Sequence, residues 1–151
     1  MPRVEALLAR IIPQLKGLLP DAKVEHIGAT AVPGSVTKGD VDVLVQVAPA
    51  AFPTAVTVLR DQFGIRQSDN WTHGFASFGD DVGYDLPLGI QLVASGSEND
   101  FLIYLRDFLN SNPEAVAEYN QLKLRHAPEG PDGYWKAKNA FFSKISAARP
   151  R

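Results

Sequence analysis

The sequence contains no cysteine. Disulfide frameworks, thiolate metal sites, iron–sulfur clusters and cysteine nucleophiles are thereby excluded. A reducing, cytoplasmic setting is the expectation. No charge of one sign dominates: 15 Lys and Arg stand against 17 Asp and Glu, a net of −2. The basic footprint that draws a protein to nucleic acid or to an anionic membrane is missing, so neither is expected as a partner. Long apolar runs are missing too, and none approaches the roughly 20 residues needed to span a bilayer. Glu5 and Arg10 interrupt the apolar N-terminal stretch, which has no secretory layout. What remains is ordinary for a globular chain: 45% hydrophobic and 21% charged residues over a length of 151. We expect one domain, residues 1–151, able to bury a core without a staple.

The pattern of apolar residues sets the expected elements. Val4, Leu7, Leu8, Ile11, Leu15 and Leu18 recur at helical spacing, with Pro13 kinking or restarting that helix. Val24 to Ile27 reads as a short strand, followed by the turn-rich GATAVPGS. Asp40 to Val47 is the clearest strand. Val41, Val43, Val45 and Val47 share one face; Asp40, Asp42, Leu44 and Gln46 share the other. The valines need a covering layer, which the helical spacing of Phe52, Val56, Leu59 and Phe63 supplies. Ile65 to Ala94 is β-rich, and helical periodicity returns after Ser97. Phe101, Leu102, Leu105, Phe108 and Leu109 form one stripe. Asn112-Pro113-Glu114 reads as N-cap, first position and acidic first turn of a helix running to about Arg125. APEGPDG is expected as a loop. A last helix from about Asp132 turns Tyr134, Ala137, Phe141, Ile145 and Ala148 inward. This order predicts an α+β fold: a small mixed sheet flanked by helices in residues 1–97, with a C-terminal helical region in 98–151. A mixed sheet with helices on one face is the other reading of this order.

Two carboxylates two apart on a strand project together, and such a like-charged pair costs energy unless a cation lies between them. Asp40 and Asp42 therefore read either as a solvated strand edge or as metal ligands. Mg²⁺ suits the second reading, because it takes one or two carboxylates plus substrate phosphates. Upstream, Gly28-Ala29-Thr30 forms a small-residue turn whose backbone N–H groups can hold phosphate oxygens. Thr30 and Ser35 add hydroxyls, and Lys38 adds a cation at the same rim. A phosphate cradle, a spacer and paired acids make a phosphoryl-transfer layout.

The turn followed by Asp-x-Asp on a strand resembles the signature of the nucleotidyltransferase superfamily, of DNA polymerase β-like fold. The longer string HIGATAVPGSVTKGDVDVLV, from His26 to Val45, is similar to the GrpB family within it. LRDFLNSNPEAVAEYNQLK and YWKAKNAFF resemble the same family's Arg-Asp…Pro-Glu…Tyr…Leu-Lys block and its closing Tyr…Lys…Phe helix. The resemblance implies a nucleotidyltransferase-type sheet. It also implies a nucleoside triphosphate bound with Mg²⁺, and transfer of its nucleotidyl group to an acceptor that the sequence does not identify. Asp40 and Asp42 would be the catalytic metal ligands. Two departures favour a non-catalytic ligand-binding module on the same scaffold. Ala29 stands where the superfamily usually has serine. Gln91 stands at the candidate position of a third carboxylate on LGIQLVA, with Asp85 of the same parity nearby.

Arg106, Lys123 and Lys138 match family positions on three separate expected helices. They either converge on phosphates or serve solvated faces. Tyr119 and Lys123 are four apart, as are Tyr134 and Lys138, so each pair shares a helix face. The tyrosines would then stack on a base or fill the core. His26 either contacts a phosphate or pins the glycine turn by a hydrogen bond. His73, beside Trp71, is a packing or pocket-floor residue, and His126 suits a helix C-terminus. Residues 1–105 carry 7 Lys and Arg against 12 Asp and Glu, and residues 106–151 carry 8 against 5. The near-neutral total thus divides into an acidic front and a basic back.

Overall fold

The computed structural model describes residues 2–147 apart from 36–38, 67, 81–82, 85 and 98–99. Helix α1 (Pro2–Leu18) leads into strand β1 (Lys23–Ile27), and a 3-10 turn at Ala29–Ala31 opens the loop to β2 (Val41–Val47). Helix α2 (Phe52–Gln62) precedes β3 (Gly64–Arg66), β4 (Phe75–Asp80) and β5 (Leu88–Ala94). Helices α3 (Leu102–Ser111), α4 (Pro113–His126) and α5 (Gly130–Ala147) follow. The five strands form one sheet in the order β1-β2-β5-β4-β3. Among the described residues only the β2–β5 pair is parallel, so the sheet is mixed, as expected for an α+β fold. No helix among the described residues is long and apolar enough to cross a membrane.

The valine face of β2 determines the main core. Val41, Val43 and Val45 are fully buried, against Val4, Leu7, Ile11 and Leu15 of α1 and Phe52, Ala55 and Leu59 of α2. Helix α1 runs unbroken through Pro13. Pro13 stands on the exposed side of the helix, as does Ala9 four residues back, so the carbonyl that loses its partner meets water.

The opposite sheet face is covered as well, so the sheet is flanked by helices and they are not confined to one face. Ile27, Leu44 and Val93 pack with Phe75 of β4 and with Leu102 and Ile103 of α3. A third cluster joins the C-terminal helices to the β1–β2 loop. Val32 lies among Leu105, Leu109, Val116, Tyr119, Phe141 and Ile145.

Three local readings differ from the structure. Strand β2 begins at Val41, so Asp40 lies just outside the ladder. Asn112 makes no side-chain cap to α4; its Nδ2 donates instead to the Phe108 carbonyl at 2.7 Å and closes the end of α3. The segment expected as a loop is a 3-10 turn, Ala127–Glu129, and α5 already starts at Gly130. There Phe141 and Ile145 are buried while Tyr134 and Ala137 are half-buried; Ala148 lies outside the described residues.

Leu44→Ala tests the second face. Leu44 is fully buried between the sheet and α3, and its truncation is expected to cost about 3 kcal/mol. The urea midpoint should fall with the slope unchanged.

Candidate functional site

Asp42 is the second residue of β2, the strand flanked by β1 on one side and β5 on the other. Its cross-strand neighbours are Ile27 and Gly89. A Cβ added to Gly28 would lie 2.6 Å from Asp42 Oδ2, and one added to Gly89 would lie 2.6 Å from Oδ1. Both distances are shorter than a real Cβ shows, so a side chain at either position would force the carboxylate to move. The carboxylate therefore fills the space that two missing side chains leave. Gly28 has a second reason to be glycine, its φ of 80°. Gly89 is a site residue that the sequence reading passed over. The signal was present, since a glycine inside a strand marks a close approach.

This slot is electrostatically costly. Burial, with a smaller push from Asp40, raises the Asp42 carboxyl against the pull of Lys138, to a pKa of about 6. Lys138 moves the other way: burial lowers its pKa although Asp42 favours its charge. For both partners desolvation outweighs their mutual attraction.

Two of the three expected cations neighbour each other, and one of them, Lys138, neighbours Asp42. Burial, and then the nearby Lys138, brings Lys123 down to about 8. Lys123 Nζ donates to Ser35 Oγ at 3.3 Å and lies 4.0 Å from the centre of the Tyr119 ring. Lys138 Nζ is 5.9 Å from the Tyr134 ring and 5.4 Å from that of Phe142. Tyr119 is a core tyrosine, 6% exposed. It stacks on Phe141 with ring centres 5.5 Å apart. Burial raises its hydroxyl pKa, as does its hydrogen bond with Tyr134. A base cannot reach its face.

The loop from β1 to β2 is tied down from three directions. Val32 anchors it in the helical cluster. Asn120 Nδ2 donates to the Gly34 carbonyl at 2.8 Å, beside the Lys123–Ser35 contact. Asn120 and Gly34 are 86 residues apart, and nothing in the sequence pairs them. Within the loop, His26 Nε2 lies 2.9 Å from Thr30 Oγ1, and that hydroxyl donates to the Asp40 carbonyl at 3.1 Å. The pinning role read for His26 is thus the geometry observed. The Thr30 hydroxyl is engaged in the same contact.

Arg106 stands apart from the two lysines. Its Nη1 donates to the His26 carbonyl at 3.0 Å and Nη2 to Glu25 Oε1 at 3.3 Å, while Nε donates to Asp107 Oδ1 at 3.0 Å. Gln91 is half-buried, opposite Leu44 and Ser77, so the residue level with Asp42 on β5 is Gly89. Ala29 sits half-buried at the start of the 3-10 turn, whose own bonds use the Ala31 and Val32 amides. Asp40 is exposed, and so is His73. Lys38 and Asp85 lie outside the described residues.

Chemically, the donor set suits one hard cation. Asp40 pushes the Asp42 pKa up, the smallest of three influences after burial and Lys138. No group of three or more His, Asp or Glu able to hold a metal occurs among the described residues. Two carboxylates match a Mg²⁺ that completes its shell with phosphates and water.

Comparison with known proteins finds relatives of this chain in sequence and in fold. The sequence profile described as GrpB protein matches residues 2–148. A UPF0157 protein of Vibrio cholerae is 36% identical over 133 residues, covering 87% of this chain and 70% of that one. A UPF0157 protein of Halalkalibacterium halodurans is 28% identical over 154 residues, covering 95% and 76%. Among solved structures, the conserved protein GrpB from Enterococcus faecalis superimposes with a TM-score of 0.72 at 23% identity, covering 96% of this chain and 91% of that one. The Cid1 poly(U) polymerase bound to MgGTP shares the fold at a TM-score of 0.58 and 15% identity. This chain covers 40% of it.

The Asp42 slot makes a stability prediction. A carboxyl whose folded-state pKa is raised gives stability below its unfolded value and loses it as the pH rises through the folded value. Here that window runs from 3.8 to about 6. Asp42→Asn removes the charge and should stabilise the protein at neutral pH by on the order of 3 kcal/mol. The gain should shrink to nothing as the pH falls through that window. Thermal unfolding of both proteins across the range reads the effect directly.

Proposed function

The chain belongs to the GrpB family and has a nucleotidyltransferase-like fold, and from that premise we propose that it binds a nucleoside triphosphate with one Mg²⁺ and transfers the nucleotidyl group to a small-molecule or protein acceptor. The observation that carries this reading is the chain of charges from Asp42 to Lys138 and from Lys138 to Lys123, which bonds Ser35 of the β1–β2 loop. Two neighbouring ammonium groups repel each other, and an anion bound beside them eases that repulsion. A triphosphate supplies that anion.

The roles follow from position. Asp42, fixed in the ladder, and Asp40, at its entrance, would hold the metal. When bound, Mg²⁺ withdraws charge from the phosphate oxygens and from the departing pyrophosphate. Lys123 and Lys138 would neutralise the β- and γ-phosphates. Ser35 and the backbone of Gly28, Ala29 and Thr30 offer further donors along the same rim. In the transfer, the acceptor's bond to the α-phosphorus forms as the bond to the bridging oxygen breaks. The net charge of −2 supports a small acceptor rather than a nucleic-acid strand. The absence of cysteine supports a cytoplasmic site of action.

One observation favours a second reading, a non-catalytic nucleotide-binding module. The β5 position level with Asp42 is a glycine, so it contributes no carboxylate to take the acceptor's proton.

Binding of labelled nucleoside triphosphates with and without Mg²⁺, together with pyrophosphate release, separates the two. Mg²⁺-dependent binding with release, both abolished in Asp42→Asn, is the expected result. Binding without release would favour the module. No Mg²⁺-dependent binding would overturn both. Lys138→Met should weaken triphosphate binding by about tenfold, the loss of one charge-assisted contact. Because Lys123 titrates at about 8, affinity should also fall as the pH is raised through that value. Lys123→Met should flatten this dependence.

A further inference from the structure

We propose that the side chains of Arg106, His26 and Thr30 form a positioning relay that fixes the Asp40 end of the acidic pair from helix α3, without themselves touching the phosphates. The purpose given to the relay rests on the metal-binding reading above; the contacts themselves do not.

The two acids are held in different ways. Asp42 sits in the ladder between β1 and β5, with its carboxylate in the slot between two glycines. Asp40 is exposed and outside the ladder, at the end of a long loop. A small hard cation needs its oxygens at about 2.0–2.1 Å in near-octahedral array. Asp40 must therefore be placed relative to Asp42 by something other than sheet pairing.

The tether begins on α3. β1 is an edge strand, paired only with β2. Arg106 covers its outer side, bonding the His26 carbonyl with Nη1 and Glu25 with Nη2. Its side chain is only 17% exposed, and Asp107 Oδ1 lies 2.8 Å from Nη2 on the other flank. A planar guanidinium spread over a carbonyl and two carboxylates works as a clamp. What it clamps is the residue whose ring meets Thr30.

The next links are directional. The Thr30 hydroxyl has one proton, and it goes to the Asp40 carbonyl. Thr30 Oγ1 must then accept from His26, which places the imidazole proton on Nε2. The order is His26 N–H to Thr30 O–H to the Asp40 carbonyl. This relay closes the loop across ten residues and sets the backbone from which the Asp40 carboxylate projects. Outer partners that orient metal ligands in this way typically contribute 10–100-fold to affinity.

Thr30→Val deletes the hydroxyl and keeps the shape, Thr30→Ser restores it, and Arg106→Lys keeps the charge but loses the fork. The first measurement uses no ligand: amide hydrogen exchange at residues 39–41, with ¹⁵N detection of the His26 tautomer. Thr30→Val and Arg106→Lys should speed exchange there and leave the core of β2 and β5 protected. Thr30→Ser should restore both signals. The second measurement is a Mn²⁺ titration in the presence of a non-hydrolysable nucleoside triphosphate, with triphosphate binding in EDTA alongside. Thr30→Val should weaken Mn²⁺ by about tenfold while metal-free triphosphate affinity stays within about twofold. Equal loss of metal-free triphosphate binding would make Thr30 or Arg106 a phosphate ligand and overturn the relay. Unchanged exchange in both variants would overturn it as well. If the wild-type protein binds neither Mn²⁺ nor nucleotide, the functional reading fails, and the exchange data alone decide the relay.

Discussion

The structure turns on one buried carboxylate. Asp42 lies in the central part of the sheet, in a slot that exists only because Gly28 and Gly89 lack side chains. Burying a charge there is expensive, and Lys138 offsets only part of the cost. A hydrophobic residue at this position would be the better choice for stability alone. Natural proteins retain such arrangements where a site needs them, and give up stability to do so. Lys138, the cation beside Asp42, comes from α5, and Lys123 beside it from α4. The sheet and the C-terminal helices are thus coupled through the charge balance of one site.

The β1–β2 loop is the seam of that coupling. It leaves β1 at Gly28, sends Val32 into the cluster of C-terminal helices, and returns to β2 at Asp40. Asn120 and Lys123, three residues apart on α4, hold it at Gly34 and Ser35. Arg106 on α3 grips β1 just before the turn. Apolar anchoring fixes where the loop runs, and directional hydrogen bonds fix how its backbone is turned. An apolar contact alone leaves rotation free, so a site built on a loop needs both.

Much of this was legible from one sequence, but unevenly. The alternation of Val41, Val43, Val45 and Val47 predicts both the strand and its covering helices, because side-chain parity in a strand is a local property. His26 was readable as a pin because it lies four residues from Thr30. Asp40 shows where parity arguments stop. It has the right spacing from Asp42, yet the strand begins one residue later. That Gly89 lies level with Asp42, and Gln91 level with Leu44, comes from the parallel pairing of β2 and β5. Pairing register between distant strands is not written in either strand alone. Asn112 had the chemistry of an N-cap and used it on the preceding helix, since both helix ends lie within its reach.

The sequence by itself determined the elements, the α+β order, the acidic strand and the basic helices, because periodicity and charge act over a few residues. It also offered Arg106, Lys123 and Lys138 as equivalent cations. Only the tertiary structure separated them. Lys123 neighbours Lys138, which neighbours Asp42, and Arg106 is drawn to the outer side of β1. The physical reason is docking. α3 packs on the second sheet face through Leu102 and Ile103, while α4 and α5 close on each other and on Val32. That packing decides which charged side chain reaches which partner, across 80 or more residues of chain.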